Sequence, residues 1–318
     1  MKIIKYILVI FALYGFVSLL LFYTNKTAES PTTSTSTTNA ISVVTTPIAT
    51  TTASISTATI TPPKTSRPFT ILVVPGHDTN TGGAQYRDVY ERDIVVTVAQ
   101  KIAALLATSS NYKIIVARDT QTWNPILQNY FDENKQNIID FKDEHQVAAA
   151  AALSSGQEKY VPDEASHSIV NATSSLELYG INKWADENPV DLILHLHFNN
   201  SERPNMNEPG SYHGFTMFIP DKQRVNATTS RAIGQDIYAE LKKFFTPEIV
   251  GNNGTSLIED QSLIALGGSE TLTKPAILIE YGYVYDKNLQ DPTDRDKTLS
   301  QMAVQTVAGI QDYVSSLK

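Results

Sequence analysis

Residues 191–200 (DLILHLHFNN) constrain the fold of this chain more than any other segment. The aliphatic run after Asp191 predicts a short strand buried on both faces, which is typical of a parallel sheet covered by helices. Side chains alternate along a strand, so His195 and His197 point to the same face. Two neutral imidazoles side by side suit a metal ion. Two hydrogen-bonded core histidines explain the same pattern equally well.

Two other predicted strands end in residues of the same kind. Residues 69–78 (FTILVVPGHD) form a strand that breaks at a Pro-Gly pair, and His77 follows the break. Residues 274–282 (KPAILIEYG) predict the last strand, which ends in Glu280. The carboxyl ends of parallel strands lie at one edge of a sheet, where sites gather in α/β proteins. We therefore expect these residues and the histidine pair to converge.

A helix follows the first strand after a polar, glycine-containing loop, and Glu91 lies in its first turn. The helix dipole alone explains a carboxylate at that position. A strand over residues 111–118 completes a βαβ unit, which is normally right-handed and parallel. Residues 69–318 are thus predicted to form a single α/β domain, with a twisted, mostly parallel or mixed sheet flanked by helices.

The N-terminal part of the chain has a different composition. Residues 6–23 (YILVIFALYGFVSLLLFY) carry no charge, two lysines precede them, and no small-residue cleavage site follows. Residues 1–23 are therefore predicted to form an uncleaved signal anchor, a transmembrane helix that leaves the following domain outside the cytoplasm at the cell membrane. A cleaved signal peptide and a secreted protein are the alternative. Residues 24–68, rich in Ser and Thr, are predicted to be a disordered linker.

The charge and the absence of cysteine exclude several classes of function. The net charge is −8, and residues 1–67 carry five basic residues and one acidic residue, which leaves about −12 for the domain. Nucleic-acid binding depends on neutralising phosphates, so no nucleic acid is expected as a partner. Without cysteine, disulfides, thiol catalysis and cysteine-ligated zinc sites are excluded. Any metal ion must be bound by His, Asp or Glu.

These motifs, taken in order, resemble the zinc-dependent N-acetylmuramoyl-L-alanine amidases of bacterial cell-wall turnover, the amidase type 3 family. The resemblance spans residues 70–318 and is carried by the VPGH motif at 74–77, Glu91, and residues 191–199, 214–215 and 275–282. It implies that Zn²⁺ is bound by His77, Glu91 and His197. It also implies that Glu280 is the catalytic carboxylate and that the enzyme hydrolyses the amide between N-acetylmuramic acid and L-alanine in peptidoglycan.

The family pattern places an asparagine two residues after a histidine ligand, which matches His197 and Asn199. His195 and Asn199 are therefore expected to contact the substrate or to support the ligands, with a packed structural role as the alternative for His195. Residues 121–175 do not match the family and are expected to be an insertion. It would form either a cover over the cleft or, as we favour, an outer decoration. The sequence does not identify an activating protein partner.

Two other interpretations of the same residues stay open at this point. Another zinc hydrolase on the same scaffold, such as a peptidase or a glycan deacetylase, would use the same ligands and the same glutamate. An inactive wall-binding module would keep the fold without binding a metal ion. The presence of all the presumed ligands and of a base counts against the inactive module.

Overall fold

The computed structural model describes residues 67–77, 81–163, 170–249 and 255–317. The segment predicted to be a signal anchor (1–23) and nearly all of the predicted linker (24–68) lie outside these residues, so both stay predictions. Within the described ranges, no helix is both long enough and apolar enough to cross a membrane.

A six-stranded sheet forms the centre of the domain, in the order β4-β1-β5-β8-β6-β7. The first four strands are parallel to one another, β6 is antiparallel to β8, and β7 is parallel to β6. The prediction of a mostly parallel, mixed sheet is confirmed. A short hairpin, β2 and β3, lies outside this sheet. The strands are β1 (Phe69–Pro75), β2 (Gln85–Tyr86), β3 (Val89–Tyr90), β4 (Tyr112–Val116), β5 (Leu192–Asn199), β6 (Thr216–Pro220), β7 (Leu257–Asp260) and β8 (Ala276–Tyr283).

Seven α-helices connect and cover the strands in the described ranges. The helix that precedes β5 starts at Ala172, where Asn171 caps it by accepting a hydrogen bond from the Ser174 amide. After β7, the segment Ile264–Leu266 forms a 3₁₀ turn. The helices are α1 (Glu91–Leu106), α2 (Pro125–Glu133), α3 (Lys135–Ser155), α4 (Ala172–Glu187), α5 (Ala227–Leu241), α6 (Lys287–Gln290) and α7 (Pro292–Ser316).

The sheet is covered on both faces, as the apolar run of β5 predicts. Leu194 and Leu196 point into one core, which is shared with α1, α5 and α7. Ile193 points into a second core, which is shared with α2, α4 and the 3₁₀ helix at Ile264–Leu266. Since side chains alternate along a strand, His195 lies on the same face as Ile193.

The predicted insertion forms α2, α3 and the chain up to the start of α4. Helix α3 packs on α4 and on the 3₁₀ turn at Gly268–Glu270, and its only fully buried side chain is Ile138. After α3, Glu158 forms a buried ion pair with Arg224 at 2.8 Å and accepts a hydrogen bond from Gln261. The insertion is thus an outer layer fastened to the loops that follow β6 and β7.

This attachment lies far from the edge where β1, β5 and β8 end. Strand β6 runs antiparallel to β8, with Thr216 opposite Glu280 and Phe218 opposite Leu278. The end of β6 therefore lies beside the start of β8. An attachment at that edge fits an outer decoration better than a cover over the strand ends, although the function of the insertion stays a prediction.

The variant Arg224→Met is expected to destabilise the protein by about 3–5 kcal/mol, because it leaves the Glu158 carboxylate buried without its cation. The free energy of unfolding, measured by urea denaturation, tests this. Arg231→Met is the matched control, since its partner Glu259 is partly exposed, and a loss below about 1 kcal/mol is expected there. Equal losses of unfolding free energy in the two variants would show that the buried ion pair contributes no more to stability than the partly exposed one.

Candidate active site

Three strand ends bring the predicted residues together at one edge of the sheet. In the register, Pro75 of β1 lies beside Leu196 of β5, and His197 lies beside Glu280 of β8. The Gly76 amide donates a hydrogen bond to the Leu196 carbonyl at 2.8 Å, which extends the pairing past the end of β1. The predicted convergence of the strand ends is therefore present.

Glu91 lies between two of the histidines. Its Oε2 is 3.1 Å from Nε2 of His77, and its Oε1 is 3.0 Å from Nδ1 of His197. The rings of His77 and His197 are 5.2 Å apart between centroids. Glu91 is only 2% exposed, so a charged carboxylate here needs partners. The helix dipole is a sufficient account of Glu91 in the sequence, but it does not explain these contacts.

Two backbone amides fix the orientation of this carboxylate. The Phe198 amide donates to Oε1 of Glu91 at 3.0 Å, and the Ala84 amide donates to Oε2 at 2.7 Å. One oxygen is thus held from β5 and the other from the loop before β2. The Glu91 amide donates in return to the Ala84 carbonyl at 2.8 Å. The carboxylate is held in place before any ligand binds.

The protonation of the cluster follows from burial and from these contacts. Burial alone would raise the pKa of Glu91, but hydrogen bonds and the charges of His197 and His77 outweigh it and lower that pKa strongly. Burial lowers the pKa of His197, although Glu91 acts in the opposite direction. A carboxylate and a neutral imidazole are the forms that bind a metal ion.

The cluster fits a metal ion by its atoms and their spacing. His77, Glu91 and His197 can each offer one ligand atom, and these atoms all lie within 4.8 Å of one another. Bonds of about 2.0–2.1 Å in tetrahedral geometry place ligand atoms about 3.3 Å apart. Only small movements are needed to reach that spacing. A set of three protein ligands leaves one position open, as in catalytic metal sites.

Two glycines leave room for these side chains. A Cβ atom on Gly76 would lie 2.3 Å from Cε1 of His197. A Cβ atom on Gly83 would lie 2.5 Å from Oε2 of Glu91 and 2.5 Å from Cδ2 of His77. Neither space can take a methyl group unless the ligands move.

We expect Gly83→Ala to weaken metal binding at least about tenfold, because the added methyl group displaces Glu91 and His77. Gly82→Ala is the matched control: both residues have positive φ, near +64° and +67°, but nothing lies within 4 Å of a Cβ on Gly82. The control carries only the backbone strain of about 1–2 kcal/mol. Competition with a chromogenic chelator measures the metal Kd of both. Equal metal Kd values in the two variants would show that the close contact of Gly83 with Glu91 and His77 does not affect metal binding.

Arg118 fixes the backbone on both sides of the cluster. It follows β4 and is buried. Its Nη2 donates to the carbonyls of Gly76 and Arg92, the residues that precede His77 and follow Glu91. Because the guanidinium is planar and always charged, it holds these two segments in a fixed relation. Arg118 was not singled out from the sequence, although a basic residue that closes an apolar strand is a usable signal.

Glu280 lies beside the cluster but does not contribute a ligand atom to it. Its Oε2 is buried and has no hydrogen-bond partner among the described residues. Burial first, and then the charges of Glu91 and Glu248, raise the pKa of Glu280 well above its ordinary value. A carboxyl group in such surroundings readily accepts a proton and can give it up to a neighbouring group, as a general base and acid must.

His195 lies behind the cluster. It is 1% exposed, so it does not reach a substrate that arrives from solvent. It bonds to the backbone of Ala265, and burial, followed by the charge of His197, lowers its pKa to about 3. This burial does not suit direct substrate contact, whereas support of the ligands and a packed structural role both fit it, and the role of His195 stays a prediction.

Asn199 lies at the end of β5, beside Tyr283 of β8, and is partly exposed. Its Oδ1 accepts a hydrogen bond from the Asn200 amide at 3.0 Å. Asn199 therefore lies at the same edge of the sheet as the cluster. Its expected contact with the substrate stays a prediction. His213, in the loop between β5 and β6, is exposed and pairs with Asp286 at 2.8 Å.

The geometry of this edge combines a histidine–glutamate cluster with a nearby protonatable glutamate. The sequence profile of the N-acetylmuramoyl-L-alanine amidases (Amidase_3) matches residues 71–312, most of the described domain. The chain belongs to this amidase family. It is therefore a hydrolase of the peptidoglycan amide between N-acetylmuramic acid and L-alanine. No curated protein sequence matches the amidase significantly.

Solved amidase structures are similar to this chain. The CwlD amidase from Clostridioides difficile, solved in complex with the GerS lipoprotein, is 17% identical, with a TM-score of 0.51 over 78% of this chain and 99% of that one. The catalytic domain of CwlV, an amidase from Bacillus (Paenibacillus) polymyxa var. colistinus, is 13% identical, with a TM-score of 0.48 over 78% and 98%. At such identities, the likeness to CwlD shows the fold alone.

Proposed function

We propose that this amidase is zinc-dependent, with Zn²⁺ held by His77, Glu91 and His197 and with Glu280 as the catalytic carboxylate. The observation that carries the proposal is the buried Glu91 carboxylate, whose two oxygens each face one histidine nitrogen at 3.0–3.1 Å. Two imidazole nitrogens and one carboxylate oxygen form a ligand set that is typical of catalytic zinc sites. Among the described residues, it is the only such cluster of three or more possible ligands.

When bound, zinc would supply Lewis acidity, which polarises the scissile carbonyl and makes the attacking water more acidic. Glu280 accepts a proton from that water as the oxygen bonds to the carbonyl carbon. Glu280 then gives the proton to the nitrogen of L-alanine as the C–N bond breaks. The products are the lactyl carboxylate on the sugar and a peptide with a free amino terminus.

Phe198 and Ala84 support this reaction through their backbone amides. By holding both oxygens of Glu91, they keep its carboxylate turned towards His77 and His197. Partners of this kind orient metal ligands and raise metal affinity. Arg118 acts on the same ligands through the carbonyls that it binds.

The location of the domain is also a proposal. The apolar segment 6–23 would anchor the amidase in the cell membrane, and the Ser/Thr-rich segment 24–68 would let the domain reach peptidoglycan outside it. Secretion after cleavage is the alternative. CwlD was solved in complex with the GerS lipoprotein, and we propose by analogy that this chain also binds a protein partner.

Removal and return of the metal tests the proposal. Dialysis of the purified protein against a chelator is expected to abolish amide hydrolysis, and one equivalent of Zn²⁺ is expected to restore it. Mg²⁺, which prefers six oxygen ligands, is the control and should not restore activity. Full hydrolysis by metal-free protein would contradict the proposal, as would a bound metal content far below one per chain after zinc is returned.

A further inference from the structure

Three tyrosines stack at the edge of the sheet that carries the active site. The rings of Tyr283 and Tyr285 are nearly parallel, at 27°, with centroids 5.1 Å apart. The ring of Tyr212 also stacks on Tyr283, at 25° and with centroids 6.4 Å apart. Tyr283 and Tyr285 are buried, but Tyr212 is 57% exposed. We call this group the tyrosine stack; Tyr212 is its outer member.

Hydrogen bonds hold the stack in place. The Tyr285 hydroxyl bonds to Oγ of Ser201 at 2.8 Å and donates to the Tyr212 carbonyl at 3.0 Å. The Arg203 guanidinium lies 4.7 Å from the centroid of Tyr285. Arg203 also donates to Oδ1 of Asn200 and to carbonyls of its own loop. The exposed ring of Tyr212 is thus presented by a braced loop.

Glu248 connects the stack to the active site. The Tyr283 hydroxyl donates to the Glu248 carboxylate at 2.9 Å, and the Thr216 hydroxyl lies 3.4 Å from it. Thr216 is the register partner of Glu280. Tyr283 itself follows Glu280 by three positions in β8, about 10 Å along the strand. Tyr212, whose ring lies 6.4 Å from that of Tyr283, is therefore on the order of 10–15 Å from Glu280.

The surroundings of Tyr212 favour a neutral ligand with hydroxyl groups. Glu248 and Asp286 are carboxylates on this side of the stack, and His213 pairs with Asp286. These carboxylates disfavour a peptide that ends in a carboxylate, and the nearby Arg203 guanidinium is already bound to carbonyls of its own loop. A sugar ring is uncharged, its C–H face is attracted to the negative face of an aromatic ring, and its hydroxyls can donate to the lone pairs left on Glu248.

We propose that Tyr212 and Glu248 form a glycan subsite, in which Tyr212 stacks on a sugar ring of the peptidoglycan strand and Glu248 accepts a hydroxyl hydrogen bond. This inference rests on the amidase function proposed above, since it assigns part of that substrate to a place on the molecule. It predicts that affinity for the glycan depends on the ring of Tyr212 but not on its hydroxyl.

The probe is the tetramer of N-acetylglucosamine, which has no peptide and no scissile amide, with binding to the full chain measured by titration calorimetry. Tyr212→Ala is expected to raise the Kd about tenfold, and Tyr212→Phe is expected to stay within about twofold of the wild type. Tyr160→Ala is the matched control. Tyr160 is 70% exposed, and its neighbours bond to Gln223 and Gln261 beyond the ends of β6 and β7, at the opposite edge.

The subsite would be overturned if the wild type did not bind the tetramer, if Tyr212→Ala left the Kd unchanged, or if Tyr212→Phe lost as much affinity as Tyr212→Ala. A loss of affinity for a free stem peptide instead of the sugar would also overturn it. Zinc content and amide cleavage of the wild type are measured alongside. If the enzyme cleaves the amide but its sugar binding does not depend on Tyr212, only the subsite is rejected. If sugar binding depends on Tyr212 but the amide is not cleaved, only the proposed function is rejected.

Discussion

Glu280→Gln is expected to lower kcat about 10³-fold while the protein keeps its bound zinc. Glutamine has nearly the same shape as glutamate, but it can neither accept the proton of the attacking water nor return it to the leaving amine. The fold should survive, because Oε2 of Glu280 has no hydrogen-bond partner to lose among the described residues. Zinc should stay, because the three ligand atoms come from His77, Glu91 and His197.

Release of soluble peptide from purified peptidoglycan measures kcat, and elemental analysis measures zinc in the same preparation. Glu259→Gln is the matched control: it changes the same residue type in β7, two strands away from β8, where the side chain pairs with Arg231. It should keep wild-type activity. A Glu280→Gln variant with more than about a tenth of wild-type kcat would exclude Glu280 as the base.

Glu91→Gln is expected to raise the Kd for zinc about 10³-fold, because the only negative charge in the cluster disappears. In addition, the NH₂ group of the new glutamine side chain faces one of the two backbone N–H groups that donate to Glu91 in the wild type, so that hydrogen bond is lost. Activity at limiting zinc should fall in parallel. Chelator competition gives the Kd directly, so the result does not depend on the activity of the loaded enzyme.

Asp93→Asn is the control for this change. Asp93 lies in the same first turn of α1 and feels the same helix dipole, but it pairs only loosely with Arg92, at 3.6 Å. Loss of the dipole interaction alone changes stability by about 0.3–1 kcal/mol and should leave the zinc Kd unchanged. If both variants bound zinc equally well, Glu91 would be no more than a helix-start carboxylate.

The regular strands explain why much of the site was predictable from the sequence. His197 and Glu280 lie in strands whose apolar runs show their burial, and the parallel order of these strands brings their ends together. Glu91 was less certain, since a helix-start carboxylate has an ordinary explanation. Only the structure brings its two oxygens to His77 and His197, across a loop whose path no short-range pattern determines.

Other parts of the site depend on contacts between distant segments, and the sequence does not reveal them. Arg118 binds carbonyls that lie 42 and 26 positions away. Glu248 comes from a loop between α5 and β7 with no recognisable motif, and its importance follows from its contacts with Tyr283 and Thr216. Tyr212 is a candidate for ligand binding because its exposed ring stacks on Tyr283, which in turn stacks on Tyr285.

The central claim is that a zinc-loaded active site at this edge cleaves the amide between N-acetylmuramic acid and L-alanine. Digestion of purified peptidoglycan by the zinc-loaded enzyme, followed by mass spectrometry of the soluble products, tests it most directly. The expected products are stem peptides with a free N-terminal L-alanine and glycan strands that keep their acetyl groups. Peptides cut at another bond, deacetylated sugars, or no release of peptide by fully zinc-loaded protein would contradict it.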